Sequence, residues 1–290
     1  MNAIIFGINS QDGYYLKNIL VNNSISVIGV SRSKGDWTIG DVNDFLFVQE
    51  IIKKNKPDYI FHLAANSTTK HDVVFENYHT ISTGTLNILE NVLNFSVNSK
   101  VFISGSGLQF INNGLPIKET DIFFAKDAYS MARIQSVYAA RYYRTMGIKV
   151  YIGYFFNHDS PLRREIHINQ KIIKAVKRIV KGSNEQIQIG NIGIKKEFTF
   201  AGDVAEAIWI LINNNTVYEA VIGSGKAYSI ENWLAICFNY VNLSWKNHVV
   251  INPEFKSDYD ILVSNPRTIF NLGWQPRVDI ESLAKLMFEK

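Results

Sequence analysis

The stretch that decides the fold is NAIIFGINSQDGYYL, residues 2–16. An apolar run typical of a buried strand passes here into a short loop, and the loop passes into a helical pattern. The loop carries Gly7, Ser10 and Gly13 at the spacing where dinucleotide-binding loops have three glycines. Those glycines allow a tight turn, a close approach of backbone to a pyrophosphate, and packing of the helix on the strand.

Two interpretations of this loop remain open. Ser10 replaces the middle glycine, and its Cβ and hydroxyl weaken the approach of a phosphate without preventing it. An ordinary strand–helix turn without a ligand would also carry two glycines. The position at the first strand–helix junction favours the dinucleotide interpretation, which places the cofactor on Gly7, Asn9, Ser10, Gln11, Asp12 and Gly13.

The alternation of strand and helix continues well beyond this unit. Later apolar runs, each separated from the next by a helical pattern, are SVIGVS (26–31), DYIFHLAA (58–65), KVFISGSG (100–107) and KVYIGYFFN (149–157). Such runs predict a parallel sheet covered by helices on both faces. We therefore predict an α/β fold with a Rossmann-like, doubly wound dinucleotide-binding domain over residues 1–155. A smaller substrate-binding α/β region follows over 156–290, with elements that return to the first domain.

Composition excludes several classes of protein. The 290 residues are 47% hydrophobic and carry a mild net charge of +4 without a basic stripe, so we expect no nucleic-acid partner. No apolar run approaches the ~18–20 residues of a membrane span, and no signal peptide precedes the first strand, so we expect a cytoplasmic protein. The single Cys237 excludes an intrachain disulfide. His71 and His79 lack ligand spacing, so we predict no metal.

The end of the second strand indicates which dinucleotide binds. Residues 31–34 read Ser-Arg-Ser-Lys, with no carboxylate before Asp36. A carboxylate there would bind the ribose hydroxyls of NAD, whereas a basic residue suits the extra phosphate of NADP. We predict NADP rather than NAD, with Arg32 on the 2′-phosphate, and the alternative is a solvated basic turn. The other residues predicted to contact the cofactor are Ser31, Asp41, Val42, Leu63, Ala64 and Ala65.

A second motif lies in DAYSMARIQSVYAARYY, residues 127–143. Tyr129 and Arg133 are four residues apart, so on a helix they share one face and point into the same cleft. Many enzymes that oxidise or reduce sugars use a tyrosine and a lysine at this spacing. The pair is therefore a candidate active site with an unusual cation, and the alternative is a helix face of no catalytic role.

Taken together, these blocks resemble the extended short-chain dehydrogenases/reductases that modify nucleotide sugars. Within that family the sequence is most similar to the GDP-mannose 4,6-dehydratases and the GDP-4-keto-6-deoxymannose reductases. The resemblance covers nearly the whole chain and is carried by GINSQDGYYL, GDVND, PDYIFHLAANS, GTLNILE, FFNHDSPLRREIHINQKI, IQIGNIGIKKEFTFAGDVAEAIW and NLGWQP. The two longest blocks are the most specific, because they resemble the family's GDP-sugar site.

The resemblance implies a catalytic set from which this chain departs. In the family, the tyrosine exchanges a proton with the sugar, the lysine favours tyrosinate and holds the nicotinamide ribose, and a Ser or Thr binds the same sugar oxygen. Here Arg133 stands at the lysine position, Gly105 at the Thr position and Gly107 at the position of a catalytic Glu. We predict Tyr129, Arg133, Ser104 and Ser106 as the catalytic residues, with either serine replacing the Thr.

For the substrate, the resemblance implies a diphosphate site and a base site. Asn157 is expected near the diphosphate, and Arg163 either contacts the diphosphate or fixes its loop, as does Arg164. The other expected substrate residues are Asn169, Lys171, Gly190, Asn191 and Lys196, the last replacing an arginine. Lys256 is the one candidate to replace a further arginine that the family has near its C-terminus.

Three functions remain open. Without a Glu to remove the C5 proton, 4,6-dehydration is doubtful, whereas reduction of a C4 ketone needs only hydride from NADPH and a proton from Tyr129. We therefore favour an NADP(H)-dependent C4-ketoreductase of a GDP-6-deoxy-4-keto sugar in surface-polysaccharide biosynthesis. The alternatives are a dehydratase or epimerase with altered catalytic residues, and a non-catalytic homologue that binds nucleotide sugar. The chain lacks a long dehydratase insertion and resembles the reductases in length, so we expect a homodimer.

Overall fold

The computed structural model describes residues 1–252, 254 and 257–289. Its strands are β1 Asn2–Phe6, β2 Ser26–Ser31, β3 Thr38–Ile39, β4 Tyr59–His62, β5 Lys100–Ser106, β6 Lys149–Phe155, β7 His158–Asp159, β8 Ile187–Ile189, β9 Lys195–Glu197, β10 Thr199–Phe200, β11 Glu219–Ile222, β12 Ala227–Ser229, β13 Val249–Ile251 and β14 Ile261–Leu262. Its α-helices are α1 Gln11–Asn22, α2 Phe45–Asn55, α3 Val74–Asn77, α4 Gly84–Phe95, α5 Ala128–Thr145, α6 Ile168–Val180, α7 Ala201–Ile212, α8 Ile230–Asn239, α9 Arg267–Asn271 and α10 Ile280–Glu289.

Seven parallel strands form the central sheet, in the order β11-β6-β5-β4-β1-β2-β3. The chain starts in the middle at β1, builds outward to β3, and then returns to build the other half from β4. This is the doubly wound, Rossmann-like order, and the predicted fold class is confirmed. In β1, Ala3, Ile4, Ile5 and Phe6 are at most 1% exposed, because helices cover both faces of the sheet.

Two apolar cores lie on opposite faces of this sheet. One contains Ile88 of α4 and Val137 of α5, packed on inward-facing residues of β1, β4, β5 and β6. The other contains Leu16 of α1 and Ile208 of α7, packed on the alternate residues of the same strands. Since both faces are buried, the strands read as continuous apolar runs, and their carboxyl ends meet along one edge of the sheet.

The second part of the chain forms smaller layers and also contributes to the first. Helices α6, α8 and α10 enclose a third core around Trp233, beside small sheets of the orders β12-β9-β14 and β13-β8. A further pair, β10-β7, links the end of the β6 region to the start of α7. From the same part, β11 pairs with β6 in the central sheet, and α7 packs on α1. The division at residue 155 stays a prediction.

Among the described residues, no helix is both long enough and apolar enough to cross a membrane.

Candidate active site

A cleft of about 700 Å³ opens at the carboxyl ends of the central strands. Strand-end loops from both parts of the chain line it, as expected for an open α/β sheet. The predicted site residues that line it are Gly7, Asn9, Ser10, Gln11, Asp12, Ser31, Arg32, Asp41, Val42, Leu63, Ala64, Ala65, Ser104, Ser106, Tyr129, Arg133, Asn157 and Arg163. The structure thus gathers the predicted catalytic residues, and the predicted cofactor residues other than Gly13, into one space.

The glycines of the first loop are required by close backbone contacts. Gly7 has a φ of +93°, and a Cβ there would lie 2.6 Å from the backbone nitrogen of Ala64. A Cβ at Gly13 would lie 2.6 Å from the carbonyl oxygen of Gly7, so this residue lets α1 pack against the loop. Gly13 does not line the cleft, and its role is the packing role that the motif assigns to the third glycine.

The serine at the middle glycine position is held within the loop. The Ser10 hydroxyl donates to the carbonyl of Gly7 at 2.8 Å and accepts from the backbone N–H of Gly13 at 3.0 Å. Ser10 is therefore the N-cap of α1, and its hydroxyl is committed to the turn. Other first-turn N–H groups of α1 remain for an anion in the cleft, where the helix dipole also favours negative charge.

A largely buried ion pair ties this loop to β7, just after β6. The Nε2 atom of His158 lies 2.9 Å from Oδ1 of Asp12, and its Nδ1 atom lies 2.8 Å from the carbonyl oxygen of Phe156. Burial alone would raise the pKa of Asp12 and lower the pKa of His158, but their mutual attraction outweighs burial and reverses both shifts. An imidazolium with two acceptors fits this geometry, so His158 joins the glycine loop to the segment that follows β6.

Arg32, the cation predicted to bind the 2′-phosphate of the cofactor, is paired with a carboxylate. Arg32, directly after β2, donates from Nη2 to Oε1 of Glu76 at 3.0 Å. Asp41 also lines this end of the cleft, and its Oδ1 accepts from the backbone N–H of Asn43 at 2.9 Å. The end of the cleft beside β2 therefore holds one cation and two carboxylates from Arg32, Glu76 and Asp41.

Tyr129 sits in the first turn of α5 with its side chain facing the cleft. The helix begins there because the Asp127 carboxylate accepts from the backbone N–H of Ser130 at 2.7 Å, while the Ser130 hydroxyl pairs with the backbone N–H of Asp127. Tyr129 packs with Ile81 and Ala132 and is 8% exposed. Its hydroxyl has no hydrogen-bond partner among the described residues, so it is available to a ligand.

Arg133 lies below Tyr129 and contacts β5. Its guanidinium carbon is 5.1 Å from the centroid of the Tyr129 ring, and Nη1 donates to both the carbonyl and the hydroxyl of Ser104, the latter at 2.8 Å. The Ser104 hydroxyl in turn donates to the carbonyl of His62 at 2.9 Å. Ser104 is therefore fully committed within the protein. The Ser106 hydroxyl accepts from the backbone N–H of Leu108 at 3.2 Å, and its own proton is still available.

Aromatic rings pack against Gly105 and Gly107, the two glycines that stand where the family has a Thr and a Glu. A Cβ at Gly105 would lie 2.7 Å from the ring of Tyr154, and one at Gly107 would lie 2.8 Å from the ring of Phe156. Both rings are buried, with exposures of 0% and 2%. The space that a Thr or Glu side chain would need is thus already filled by the rings of Tyr154 and Phe156.

We expect Gly107→Glu to destabilise the protein and to produce no dehydratase. Moving the buried Phe156 ring aside costs about 1–3 kcal/mol, as other overpacked cores do. The midpoint of thermal unfolding should fall by several degrees, and GDP-mannose should stay unconverted. Phe156→Leu added to Gly107→Glu should recover part of the loss, which separates crowding from the effect of the charge. An unchanged midpoint together with 4,6-dehydration would contradict the packing argument.

The part of the cleft predicted to bind the substrate is lined by Asn157, Arg163 and His167. Asn157 accepts from the Tyr259 hydroxyl at 3.4 Å. The Arg163 guanidinium lies 3.6 Å from Asp159 and 3.3 Å from Nδ1 of His167. Burial, followed by the charge of Arg163, lowers the pKa of His167 to about 4. This imidazole is therefore neutral near pH 7, and Arg163 supplies positive charge beside it.

The remaining predicted substrate residues lie away from the cleft lining. Asn169 donates to the Asp159 carboxylate, and Lys171 donates to the carbonyl of Gln188 at 3.0 Å. Gly190 and Asn191 follow β8, and Lys196 is 9% exposed on β9, where burial lowers its pKa to about 8. Their roles in binding a base or phosphate stay predictions. Lys256 lies outside the described residues.

Further polar residues that sequence reasoning missed also line the cleft, among them Asn66, Ser67, Thr69, Glu76, Thr80 and His167. Asn66 directly follows the predicted contacts at the end of β4, so a longer strand-end segment would have included it. Thr80 lies in a π-helical turn, Tyr78–Thr83, that no local pattern indicates. No sequence pattern indicates that Glu76 belongs to the site, because its partner Arg32 is 44 residues away in sequence.

The sheet order and this cleft fit an enzyme of the short-chain dehydrogenase/reductase type, and the comparisons of sequence place the chain among those that modify nucleotide sugars. The sequence profile of the family described as GDP-mannose 4,6 dehydratase matches residues 4–287, and the chain belongs to that family. It is similar to GDP-mannose 4,6 dehydratase 1 of Arabidopsis thaliana, with 27% identity over 320 residues that cover 99% of this chain and 89% of the relative.

Solved structures extend the similarity of fold. A UDP-glucose 4-epimerase of Thermotoga maritima, solved with UDP-glucose, has a TM-score of 0.88 at 19% identity and covers 100% of this chain and 98% of its own. RMD from Pseudomonas aeruginosa, solved with NADPH, has a TM-score of 0.85 at 16% identity, with coverage of 99% and 97%. The predicted family is confirmed. Structures of this fold hold NAD in some cases and NADPH in others, and the homodimer stays a prediction.

The described residues contain no group of three or more His, Cys, Asp or Glu side chains that could hold a metal ion.

Proposed function

We propose that this enzyme is an NADP(H)-dependent reductase that acts on the C4 ketone of a GDP-6-deoxy-4-keto sugar, in surface-polysaccharide biosynthesis. The observation that carries the proposal is the contrast between Tyr129 and Gly107. Tyr129, the proposed acid–base residue, lines the cleft, and its hydroxyl has no hydrogen-bond partner among the described residues, whereas the position of the dehydratase Glu is filled by Phe156. A ketone reduction needs the first group and not the second.

The residues of the cleft fit a dinucleotide. The backbone of Gly7 approaches that of Ala64 so closely that no side chain could intervene, and the N-terminus of α1 opens beside it. This arrangement would hold a pyrophosphate on backbone N–H groups. Arg32 would reach a 2′-phosphate once it leaves Glu76. NADPH, when bound, supplies the hydride.

The protein supplies the proton and the orientation of the sugar. Tyr129 would protonate the oxygen that forms at C4, and Ser106, whose proton is uncommitted, would donate a hydrogen bond to the same oxygen. The guanidinium of Arg133, beside the Tyr129 ring, supplies positive charge near a developing tyrosinate. Asn157 and Arg163 would orient the diphosphate from the opposite wall.

The test supplies both possible substrates to the purified protein. With GDP-4-keto-6-deoxymannose and NADPH, we expect loss of absorbance at 340 nm and one deoxysugar product per NADPH consumed. With GDP-mannose and NADP, we expect no 4-keto product. Conversion of GDP-mannose would instead establish a dehydratase with altered residues. Tight binding of nucleotide sugar without turnover of either substrate would favour the non-catalytic homologue, for which the commitment of Arg133 to Ser104 is the supporting observation.

A further inference from the structure

We infer that Glu76 determines the choice between the two nicotinamide dinucleotides, because its carboxylate competes with a 2′-phosphate for Arg32. This inference rests on the proposed function only in that the cleft binds such a dinucleotide. It assigns a specificity role to a residue on α3, distant in sequence from the glycine loop and from the second strand. We therefore expect an enzyme that accepts NADH as well as NADPH, because the Glu76 carboxylate weakens the binding of NADPH.

The carboxylate is held on Arg32 from two sides. Arg32 donates to Oε1 of Glu76 at 3.0 Å, and the amide of Asn66 donates to Oε2 at 3.1 Å. All three side chains line the cleft. The side chains of Arg32 and Glu76 are 54% and 41% exposed, so their pair is solvated and can open when a ligand enters. Asn66 keeps Glu76 in place when Arg32 turns away.

Arg32 and Glu76 lie where they can contact the 2′ position of the adenosine ribose. Arg32 directly follows β2, whose last residues lie beside the end of β1, and this is where dinucleotide folds read the 2′ position of the adenosine ribose. Around it the hydroxyls of Ser31 and Ser33 lie 3.2 Å apart, and the Asn9 amide donates to Ser33 at 3.2 Å. This end of the cleft is therefore rich in small polar groups that suit a ribose.

The charges at this end oppose a phosphate. Among the described residues that line this end, Arg32 is the one cation, while Glu76 and Asp41 are both carboxylates. A 2′-phosphate brings about two negative charges, gains Arg32, and leaves Glu76 without its cation and close to the new anion. A ribose hydroxyl brings no charge and can donate to a carboxylate. Removal of the Glu76 charge should therefore strengthen binding of NADPH and leave binding of NADH nearly unchanged.

The experiment measures dissociation constants of NADPH and NADH for the full chain, by quenching of protein fluorescence at low ionic strength. We expect Glu76→Gln to bind NADPH about 3–5-fold more tightly and NADH within about twofold of the wild type, which is a shift typical of one partly exposed charge. Arg32→Ala should weaken NADPH alone. Asp72→Asn is the matched control, since Asp72 is an exposed carboxylate four residues earlier that does not line the cleft.

The outcomes separate this inference from the proposed function. If both dinucleotides bind but Glu76→Gln leaves their ratio unchanged, or shifts it no more than Asp72→Asn does, the inference is overturned and the reductase stands. If Glu76→Gln shifts the ratio but the protein reduces no GDP-keto sugar, the proposed function fails and the inference stands. If the wild type binds neither dinucleotide, both are overturned. Equal tightening of NADH and NADPH would show a general effect on folding of the loop and would also overturn the inference.

Discussion

Tyr129→Phe should lower the turnover number for keto-sugar reduction by at least about 10³-fold, the upper part of the range for loss of a general acid. The substitution removes one oxygen from a side chain that is 8% exposed and otherwise held by Ile81 and Ala132. That oxygen makes no hydrogen bond to any described residue, so its loss breaks nothing in the folded protein. The effect should therefore appear in catalysis and not in stability.

The measurement is the steady-state rate of NADPH oxidation, together with the dissociation constant of NADPH. The latter should change by less than about twofold, because Tyr129 acts on the sugar. Tyr142→Phe provides the control on the same helix, since the Tyr142 side chain is 57% exposed and lies outside the cleft lining. If Tyr129→Phe retained a third or more of the wild-type rate, Tyr129 would not be the acid, and a water or another side chain would have to supply the proton.

The central strands were the part of the fold that could be predicted most closely. SVIGVS coincides with β2, and KVFISGSG extends one residue past β5, because continuous apolar runs buried on both faces have a clear pattern. Strand ends were less accurate: the run DYIFHLAA was predicted over 58–65, while β4 spans Tyr59–His62. The edge strand β3 has only two residues, both exposed, and so carries no apolar pattern. The pairing of β11 with β6 joins residues far apart in sequence, such as Glu219 and Ile152, and no local pattern shows it.

The candidate site likewise has a part that could be predicted from the sequence and a part that could not. Residues that belong to a local motif, such as Gly7, Ser10 and Tyr129, could be found from spacing, because one loop or one helix turn fixes their relations. The contacts that decide their chemistry come from elsewhere in the chain. Arg32 meets Glu76, and the space at Gly107 is closed by Phe156, across 44 and 49 residues of sequence respectively. Such contacts follow from the order of strands in the sheet and not from any pattern within one element.

Glu219→Gln should lower the free energy of unfolding by about 2–4 kcal/mol at pH 7, the largest stability effect we expect from a single charge in this protein. Glu219 begins β11 and is 15% exposed. It accepts from Arg141 at 2.8 and 3.0 Å and from Arg144 at 2.7 Å, while the Tyr154 hydroxyl donates to it at 2.6 Å. An amide cannot accept from all of these donors, so two guanidinium groups would lose their carboxylate.

The stabilisation that Glu219 provides should depend on pH. Burial alone would raise the pKa of Glu219, but the hydrogen bonds from Arg141, Tyr154 and Arg144 lower it to about 2. Because the folded state holds the carboxylate ionised below the pKa of about 4.5 in the unfolded chain, this stabilisation is complete above that pH. It is lost as the pH falls from about 4.5 towards 2. The difference between wild type and Glu219→Gln should shrink over the same interval.

Urea unfolding of both proteins at pH 7, 4 and 3 measures this difference. Glu165→Gln is the matched control, because Glu165 also pairs with an arginine at 2.8 Å but is 49% exposed, and its loss should cost less than about 1 kcal/mol. Equal losses for the two variants would mean that burial does not strengthen the Glu219 network. A large loss only at Glu219 would show that this network stabilises the pairing of β11 with β6. The same network reaches the cleft, since the Tyr154 ring whose hydroxyl donates to Glu219 is the one that faces Gly105.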